Sequence, residues 1–273
     1  MKALTAMNVP FTVVVEEQEY DAYAKHLDPS QLLVLDKSYQ DNYDTCDELG
    51  TEKSKGPGPA RNFIWDYAAS KGHKRHWVMD DNIISFYRFH ENRQIKVYSG
   101  AIFQAMEDFC DRYTNVAMAG PNYFMFVPRK QKAPPFVLNT RIYSCNLILN
   151  DIPYRWRGRY NEDTDLSLRM LKDGWCTVQF NAFLQEKLRT QLIAGGNTAE
   201  FYQKEGTLPK SKMLVQLHPD VARLTWKFQR WHHEVDYKPF KKNLLQRHKD
   251  ISLAAKPNDY GLELKKVSNR AIK

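Results

Sequence analysis

His76-Trp77-Val78-Met79-Asp80-Asp81-Asn82 is a short apolar run that stops abruptly on two carboxylates and an amide. Such a run reads as a buried strand. It delivers Asp80, Asp81 and Asn82 at its carboxyl end, which in open α/β sheets is the edge where ligands bind. Oxygen donors there suit Mg²⁺ or Mn²⁺, which take hard ligands and bridge to substrate phosphates. The bland alternative is a polar turn, because Asp and Asn are good turn formers.

Outward from this stretch, strand and helix signals alternate. Upstream, Pro10 precedes a β-branched strand over 11–15, a polar helix-like stretch over 20–27 follows, and 31–35 is a second apolar strand. Residues 36–60 are polar and end in the loop signal Gly56-Pro57-Gly58-Pro59. Residues 60–71 read as a helix with Phe63, Ile64, Tyr67 and Ala68 on one face and Gly72 as its stop. Downstream, 100–113 is a helix, and 116–119, 124–127, 137–138 and 144–149 are strand candidates. A helix over 164–172 stops at Gly174, 176–180 is a strand, Gly195-Gly196-Asn197 is a mobile loop, and 213–217 is strand-like. The chain from His218 onward reads as tail-like and partly helical. No repeat is present. This order predicts an α/β/α sandwich on a mixed central sheet, with one domain over 1–240 and a basic C-terminal tail over 241–273.

Composition narrows the function. In 273 residues, 42% are hydrophobic and 13% aromatic, enough for a sizeable core. No apolar run approaches the ~20 residues of a membrane span, and the N-terminus lacks a signal-like stretch. Cys46, Cys110, Cys145 and Cys176 form neither a CxxC pair nor zinc-finger spacing. Their pattern indicates a reducing, cytoplasmic setting rather than a disulfide scaffold. The net charge of +8 is uneven: residues 1–206 carry a net −1 and residues 207–273 a net +9. That last quarter also holds Trp226, Phe228, Trp231, Tyr237 and Phe240. Cations interleaved with rings suit a polyanion, the cations meeting phosphates while rings stack. The alternative is a solvated helix with ordinary lysines.

Three further constellations stand out. Tyr160-Asn161-Glu162-Asp163-Thr164-Asp165 places three acids at a helix start. That pattern serves the helix dipole, with Asn161 or Thr164 as cap, or aims a general base into a cleft. Gly56-Pro57-Gly58-Pro59-Ala60-Arg61-Asn62 is not a Walker A loop, yet it puts Arg61 at a helix start where a diphosphate is favoured; a surface arginine is the alternative. Among the histidines, the adjacent His232 and His233 cannot share one helix face, so His218 is the better metal-ligand candidate.

A first strand, an Ala-Arg-Asn helix, an Asp-Asp-Asn strand end and a later Glu-Asp helix start, in this order, resemble a GT-A-fold glycosyltransferase. Three longer runs narrow the resemblance: 13–21, 157–166 and 230–237 are similar to the TET-associated glycosyltransferase family of phages and some eukaryotes. The resemblance implies transfer of a sugar from a nucleotide sugar, UDP-glucose or similar, to the hydroxymethyl group of a 5-hydroxymethylpyrimidine in DNA, hydroxymethylcytosine ahead of hydroxymethyluracil. It implies a cytoplasmic protein, in an infected host cell if viral. Mapped onto this chain, Glu16 and Gln18 hold the nucleotide base, Arg61 the diphosphate and Asp80 the ribose or metal. Asp81, Asn82 and His218 surround Mn²⁺ or Mg²⁺, with Asn82 standing where an acid is usual, so the direct ligand is either Asp81 or Asn82. Gly195, Gly196 and Asn197 close over the donor. Asp163 is the base, with Glu162 as the alternative. DNA runs along Arg155, Arg157 and Arg159 and along Arg230, Trp231, His232 and His233. A salt-bridging loop beside Glu162 and Asp163 is the alternative for the three arginines of 155–159. Two other readings stay open, a non-DNA acceptor and a non-catalytic nucleic-acid-binding module.

Overall fold

The central sheet assembles around one long strand near the end of the domain. In the computed structural model, which describes residues 1–46, 55–129, 133–188 and 207–251, the elements follow in order. They are α1 (Lys2–Ala6), β1 (Val13–Val15), α2 (Tyr20–Ala24), β2 (Leu32–Val34), α3 (Lys37–Asp41), α4 (Gly58–Ser70), β3 (Arg75–Met79), β4 (Ile83–His90) and β5 (Arg93–Lys96). Then come α5 (Ala101–Cys110), β6 (Val116–Tyr123), β7 (Phe136–Leu138), β8 (Cys145–Leu149), α6 (Glu162–Lys172), β9 (Cys176–Lys187), α7 (Leu208–Leu217), β10 (Ala222–Lys227) and β11 (Arg230–Val235).

The sheet has seven strands in the order β3-β8-β6-β9-β4-β5, with β7 also on β9. One edge of β9 pairs in parallel with β6. Its other edge takes β7 along its first half and β4 along its second, both antiparallel. β8 runs antiparallel to both β3 and β6. Hence β3, β6 and β9 point the same way, and Met79, Tyr123 and Lys187 finish on one side of the sheet. The protein is therefore α/β, with a mixed sheet flanked by helices.

Both faces are covered. On one, Ile102, Phe103, Met106 and Cys110 of α5 pack on Phe86, Val178 and Phe180. On the other, Trp65 of α4 and Leu166 and Met170 of α6 pack on Val78, Met118 and Ile148. The first seven residues of β6 are accordingly all buried, as a strand covered on both faces requires. Within β6, Gly120 is demanded by space: a Cβ there would lie 2.2 Å from the Cys145 carbonyl oxygen and 2.7 Å from Ile142 Cγ2. Gly120→Ala is expected to cost about 1–3 kcal/mol by overpacking. A lower urea midpoint at unchanged m-value is the readout, and an unchanged midpoint sinks the claim.

Several elements differ from the sequence reading. The first two strands form their own two-stranded parallel sheet, apart from the central one. Residues 83–99, passed over in sequence, supply β4 and β5. Residues 124–126 form a 3₁₀ turn instead of a strand, and the strand starting at Cys176 runs on to Lys187. The buried stripe of α4 is Arg61, Trp65 and Ala68, because the Trp65 indole reaches inward to donate to the Asn150 carbonyl at 3.1 Å. The strand-like run 213–217 is the second half of α7, whose start carries Pro209 and whose Ser211 and Leu214 are buried. The stretch after His218 is an antiparallel hairpin pairing Trp226 with Trp231, turned through Phe228 and Gln229 at φ 52° and 58°. Left-handed residues at both turn positions match hairpin twist, but Phe-Gln is not a turn signal a reader would expect.

Behind α6, Leu168 and Leu171 pack with Leu214, Ala222 and Phe240, which fastens α7 and the hairpin to the domain. Residues 241–251, the described part of the expected tail, bind the body: the Asn243 amide donates to the Leu171 and Trp175 carbonyls at 2.7 and 2.9 Å. No described helix is long and apolar enough to cross a membrane.

Candidate active site

The carboxyl ends of β3, β6 and β9, the residue entering β8, and the starts of α4 and α6 face one cavity of about 450 Å³. That volume lies in the usual range for a small-molecule site. Arg61, in the first turn of α4, is its buried hub, its side chain only 6% exposed. Nη2 meets Asp80 Oδ1 at 2.7 Å, while Nη1 meets Asp163 Oδ1 at 2.7 Å and Glu162 Oε1 at 2.9 Å. A planar, five-donor guanidinium can serve several carboxylates at once. Its carbon also lies 4.6 Å from the Trp156 ring centroid.

Asp80 has a second cation. Lys187 Nζ, at the end of β9, lies 2.6 Å from Asp80 Oδ2 and donates to Ser144 Oγ at 2.9 Å. The Tyr123 and Ser144 hydroxyls are 2.6 Å apart, and the Asp80 N–H donates to the Ser144 carbonyl at 2.7 Å. Ser144 holds a left-handed backbone, φ 67°. A non-glycine residue in that region carries a cost and persists only where its surroundings over-determine it.

The two strand-end and helix-start carboxyls have opposite electrostatics. Burial works against the Asp80 carboxylate, but Arg61 and Lys187 outweigh it and hold the group down at about 2. Burial dominates at Asp163, and although Arg61 opposes it, Glu162 and Asp80 add to it, so this carboxyl is raised to about 7. One guanidinium shared by three carboxylates cannot fully compensate each. Asp163 can therefore gain or lose a proton near neutrality, the property a general base needs.

The cavity lining also carries basic residues. Arg141, Lys210 and His233 are among them. Burial, then Arg230 and Arg141, lower the Lys210 ammonium. Burial, then Arg141 and Lys210, lower His233 to about 4, so its imidazole is neutral at pH 7.

The expected site residues divide into groups. Arg61, Asp80, Asp81, Asn82, Glu162, Asp163, Arg159 and His233 all line the cavity. Arg61, however, spends its guanidinium on carboxylates, which is not the free diphosphate contact read from sequence. Asp81 is exposed at the rim. Burial, Glu19 and then Asp81 raise the Tyr23 phenol, which brings α2 near that rim. Glu16 and Gln18 are exposed, bonded to each other and, through Glu16, to Gln40, outside the cavity wall. Gly195, Gly196 and Asn197 lie outside the described residues.

His218 does not join Asp81 and Asn82. As the residue after α7 it is buried behind α6, with Nε2 3.0 Å from Asp165 Oδ1. The same fully buried Asp165 meets Arg157 Nη2 at 3.1 Å and Arg169 Nε at 2.7 Å. Burial would raise the Asp165 carboxyl, but hydrogen bonds from His218 and Arg157 and the Arg169 charge hold it down at about 2. Arg155 pairs with Asp66 at 2.7 Å, and Arg159 is buried and donates to the Tyr160 hydroxyl at 2.7 Å. Arg155 and Arg157 are thus ion-paired with Asp66 and Asp165, and not with Glu162 and Asp163, which a salt-bridging loop at this place would have been expected to meet. Arg230, Trp231 and His232 stand on β11 beside His233.

The donor set expected for Mn²⁺ or Mg²⁺ is not brought together as folded. Both Asp80 oxygens face cations and His218 is bound to Asp165, which leaves the exposed Asp81 carboxylate at the rim and the buried Asn82 amide oxygen, which has no hydrogen-bond partner among the described residues. Among the described residues no group of three His, Cys, Asp or Glu could hold a metal ion. Sequence reading missed Lys187, Ser144, Tyr123, Arg141 and Lys210. Lys187 carried a readable signal, as a basic residue closing a strand, once that strand was followed past Phe180.

The model of the TET-associated glycosyltransferase family matches residues 1–196. No curated protein and no solved structure is similar enough to match. The matched span includes Arg61, Asp80, Glu162, Asp163 and Lys187, and stops before α7 and the hairpin. With a match over most of its length, the chain belongs to the TET-associated glycosyltransferase family.

Proposed function

We propose that the protein moves a sugar from a nucleotide sugar, UDP-glucose or a close relative, onto the hydroxymethyl group of a 5-hydroxymethylpyrimidine in DNA, 5-hydroxymethylcytosine ahead of 5-hydroxymethyluracil, on a GT-A-like scaffold. The observation that carries the reading is Asp163: a cavity carboxyl that shares the Arg61 guanidinium with two other acids and is pushed well above the ordinary carboxylate range by burial, in a chain of this glycosyltransferase family. An alcohol is a weak nucleophile until a base takes its proton. Asp163 takes the acceptor proton, and the acceptor oxygen attacks the anomeric carbon as the diphosphate leaves. A single displacement of this kind inverts the anomeric centre. Ser144 and Arg61 keep the carboxyl in place: the Ser144 N–H lies 3.4 Å from Asp163 Oδ2, and Arg61 holds Oδ1.

The acceptor reaches the donor by leaving the base stack, at a cost of a few kcal/mol that phosphate and stacking contacts offset. The hairpin supplies both. Its tip exposes Phe228 to 86% and Trp226 to 60%, flanked by Lys227 and Arg230, while His233 on the same strand lines the cavity. Phe228→Ala is expected to weaken binding to hydroxymethylated DNA by about 1–3 kcal/mol without moving the melting temperature. Arg230→Ala is expected to lower the slope of log K against log salt by about 1. Fluorescence anisotropy across a salt series reads both; unchanged affinity and slope would remove the hairpin from the DNA surface.

The deciding experiment is mass spectrometry of nucleosides from hydroxymethylated DNA, incubated with the protein, a panel of nucleotide sugars, and either Mn²⁺ or a chelator. A gain of one sugar on the modified pyrimidine establishes the reaction. No gain with any donor, on folded protein, excludes it.

A further inference from the structure

A departing nucleoside diphosphate gathers negative charge, and catalysis requires something positive where that charge develops. Divalent ions commonly do this, but two of the expected donors, Asp80 and His218, are turned to other uses, which leaves only Asp81 at the rim and the Asn82 amide oxygen. Asp80 Oδ1 is held by Arg61 and Oδ2 by Lys187, each within 2.7 Å. His218 is bound to Asp165. An ion approaching Asp80 would have to compete with the two cations already in contact with it.

Lys187 has the attributes of the missing charge. It closes β9, a strand ending at the ligand-binding edge, and its side chain is 17% exposed into the cavity. An ammonium has three donors. Asp80 and Ser144 take two of them, and among the described residues the third has no protein acceptor. Arg61 is no substitute, since its guanidinium is shared by three carboxylates.

Resting on the function proposed above, we infer that Lys187 is the resident cation of the transfer: its ammonium binds the donor diphosphate and stabilises it as it leaves, so that the reaction needs no divalent metal. The bond formed joins the acceptor oxygen to the anomeric carbon. The bond broken joins that carbon to the diphosphate oxygen, which keeps the electron pair and accepts a hydrogen bond from Lys187. The acceptor proton goes to the Asp163 carboxylate, and nothing is oxidised or reduced. Asp80 and Ser144 orient the ammonium, acting through it rather than on the substrate.

The test is calorimetric binding of UDP, GDP, ADP and dTDP to the full chain, in EDTA and in Mn²⁺. The wild-type protein is expected to bind one of them in EDTA as well as in Mn²⁺. Lys187→Gln is expected to lower that affinity about ten- to a hundredfold, the scale of a lost hydrogen bond to a charged group. Lys187→Arg, which keeps the charge, is expected to recover most of it. Circular dichroism reports whether each variant is folded, and the wild-type comparison needs no variant at all. Binding that requires Mn²⁺, or that survives Lys187→Gln unchanged, overturns the inference, as does the absence of binding in either buffer. Sugar transfer to DNA in Mn²⁺ but not in EDTA leaves the proposed function standing and removes only Lys187. Metal-free nucleotide binding that depends on Lys187, without transfer to DNA from any donor, keeps the cation and removes the DNA acceptor.

Discussion

Asp163→Asn is expected to lower single-turnover sugar transfer to hydroxymethylated DNA by about a hundred- to ten-thousandfold, the usual contribution of a positioned base. The replacement is nearly isosteric and its carbonyl can still accept from Arg61, so the cavity keeps its shape, at the cost of the long contact from the Ser144 N–H, which an amide NH₂ cannot accept. The pH dependence identifies the proton involved. With its carboxyl raised from 3.8 to about 7, wild-type activity should climb with pH and level off above about 7, whereas the residual rate of the variant should be flat. Stability should change in the opposite sense. Between the ordinary carboxyl value and about 7, the folded protein holds a proton that the unfolded chain has released. The contribution of this group to stability is therefore fully present at low pH and lost as pH rises through about 7. The variant escapes that loss, so its melting temperature relative to wild type should improve from pH 5 to pH 8. Near-normal transfer by Asp163→Asn would end the assignment and move the base to Glu162.

The same residue shows what a sequence can and cannot disclose. Three acids opening a helix left Asp163 open between serving the helix dipole and acting as a base, and only the family resemblance chose the base; Asp80 was marked by its place at the end of a buried strand. Each is a local pattern, carried by strand periodicity or by the start of a helix. The partnerships between them were not readable. Arg61 and Asp80 lie 19 positions apart, and Asp80 and Lys187 107; the first pair meets because α4 packs on the sheet with its start at the end of β3, and the second because β3 and β9 run the same way. Reading Arg61 as a diphosphate contact followed from its place at a helix start. Packing overrode that reading: with two carboxylates opening α6 across the cavity, the nearest anions for a buried guanidinium are the protein's own. His218 failed as a ligand for a related reason. A short, mostly apolar run such as 213–217 does not distinguish strand from helix, and as the end of α7 it directs the imidazole behind α6, onto Asp165. The hairpin was hidden because its turn uses Phe228 and Gln229 where glycine or asparagine would have announced it.

Arg61→Met is expected to destabilise the fold by about 3–5 kcal/mol, the cost of leaving buried charge without its partner. Methionine can fill much of the space beside Trp156, so the loss is electrostatic rather than a cavity. Asp80 keeps Lys187, but Glu162 and Asp163 lose the guanidinium they share. Their carboxyls can then lower the cost only by taking up protons, which makes the penalty pH-dependent. The gap in unfolding free energy between wild type and variant should be widest at alkaline pH and narrow as pH falls toward the carboxylate range. Lysine should not rescue it, because one ammonium cannot span the fork that reaches three carboxylates. Combining Arg61→Met with Asp163→Asn should recover part of the loss, a non-additivity of about 0.5–3 kcal/mol expected of residues in one network. Urea unfolding of the five proteins (wild type, Arg61→Met, Arg61→Lys, Asp163→Asn and the double variant) at two pH values measures every quantity. A loss under about 1 kcal/mol, or one independent of pH, would mean that these carboxylates are neutral or hydrated in the native state. If the full penalty is found, the function of Arg61 follows from its electrostatics. Without the guanidinium, Asp163 would be raised further and would cease to be a base at neutral pH. With a guanidinium held by Asp163 alone, the carboxylate would be too stable to accept a proton. Sharing one cation among three acids places the base between those limits.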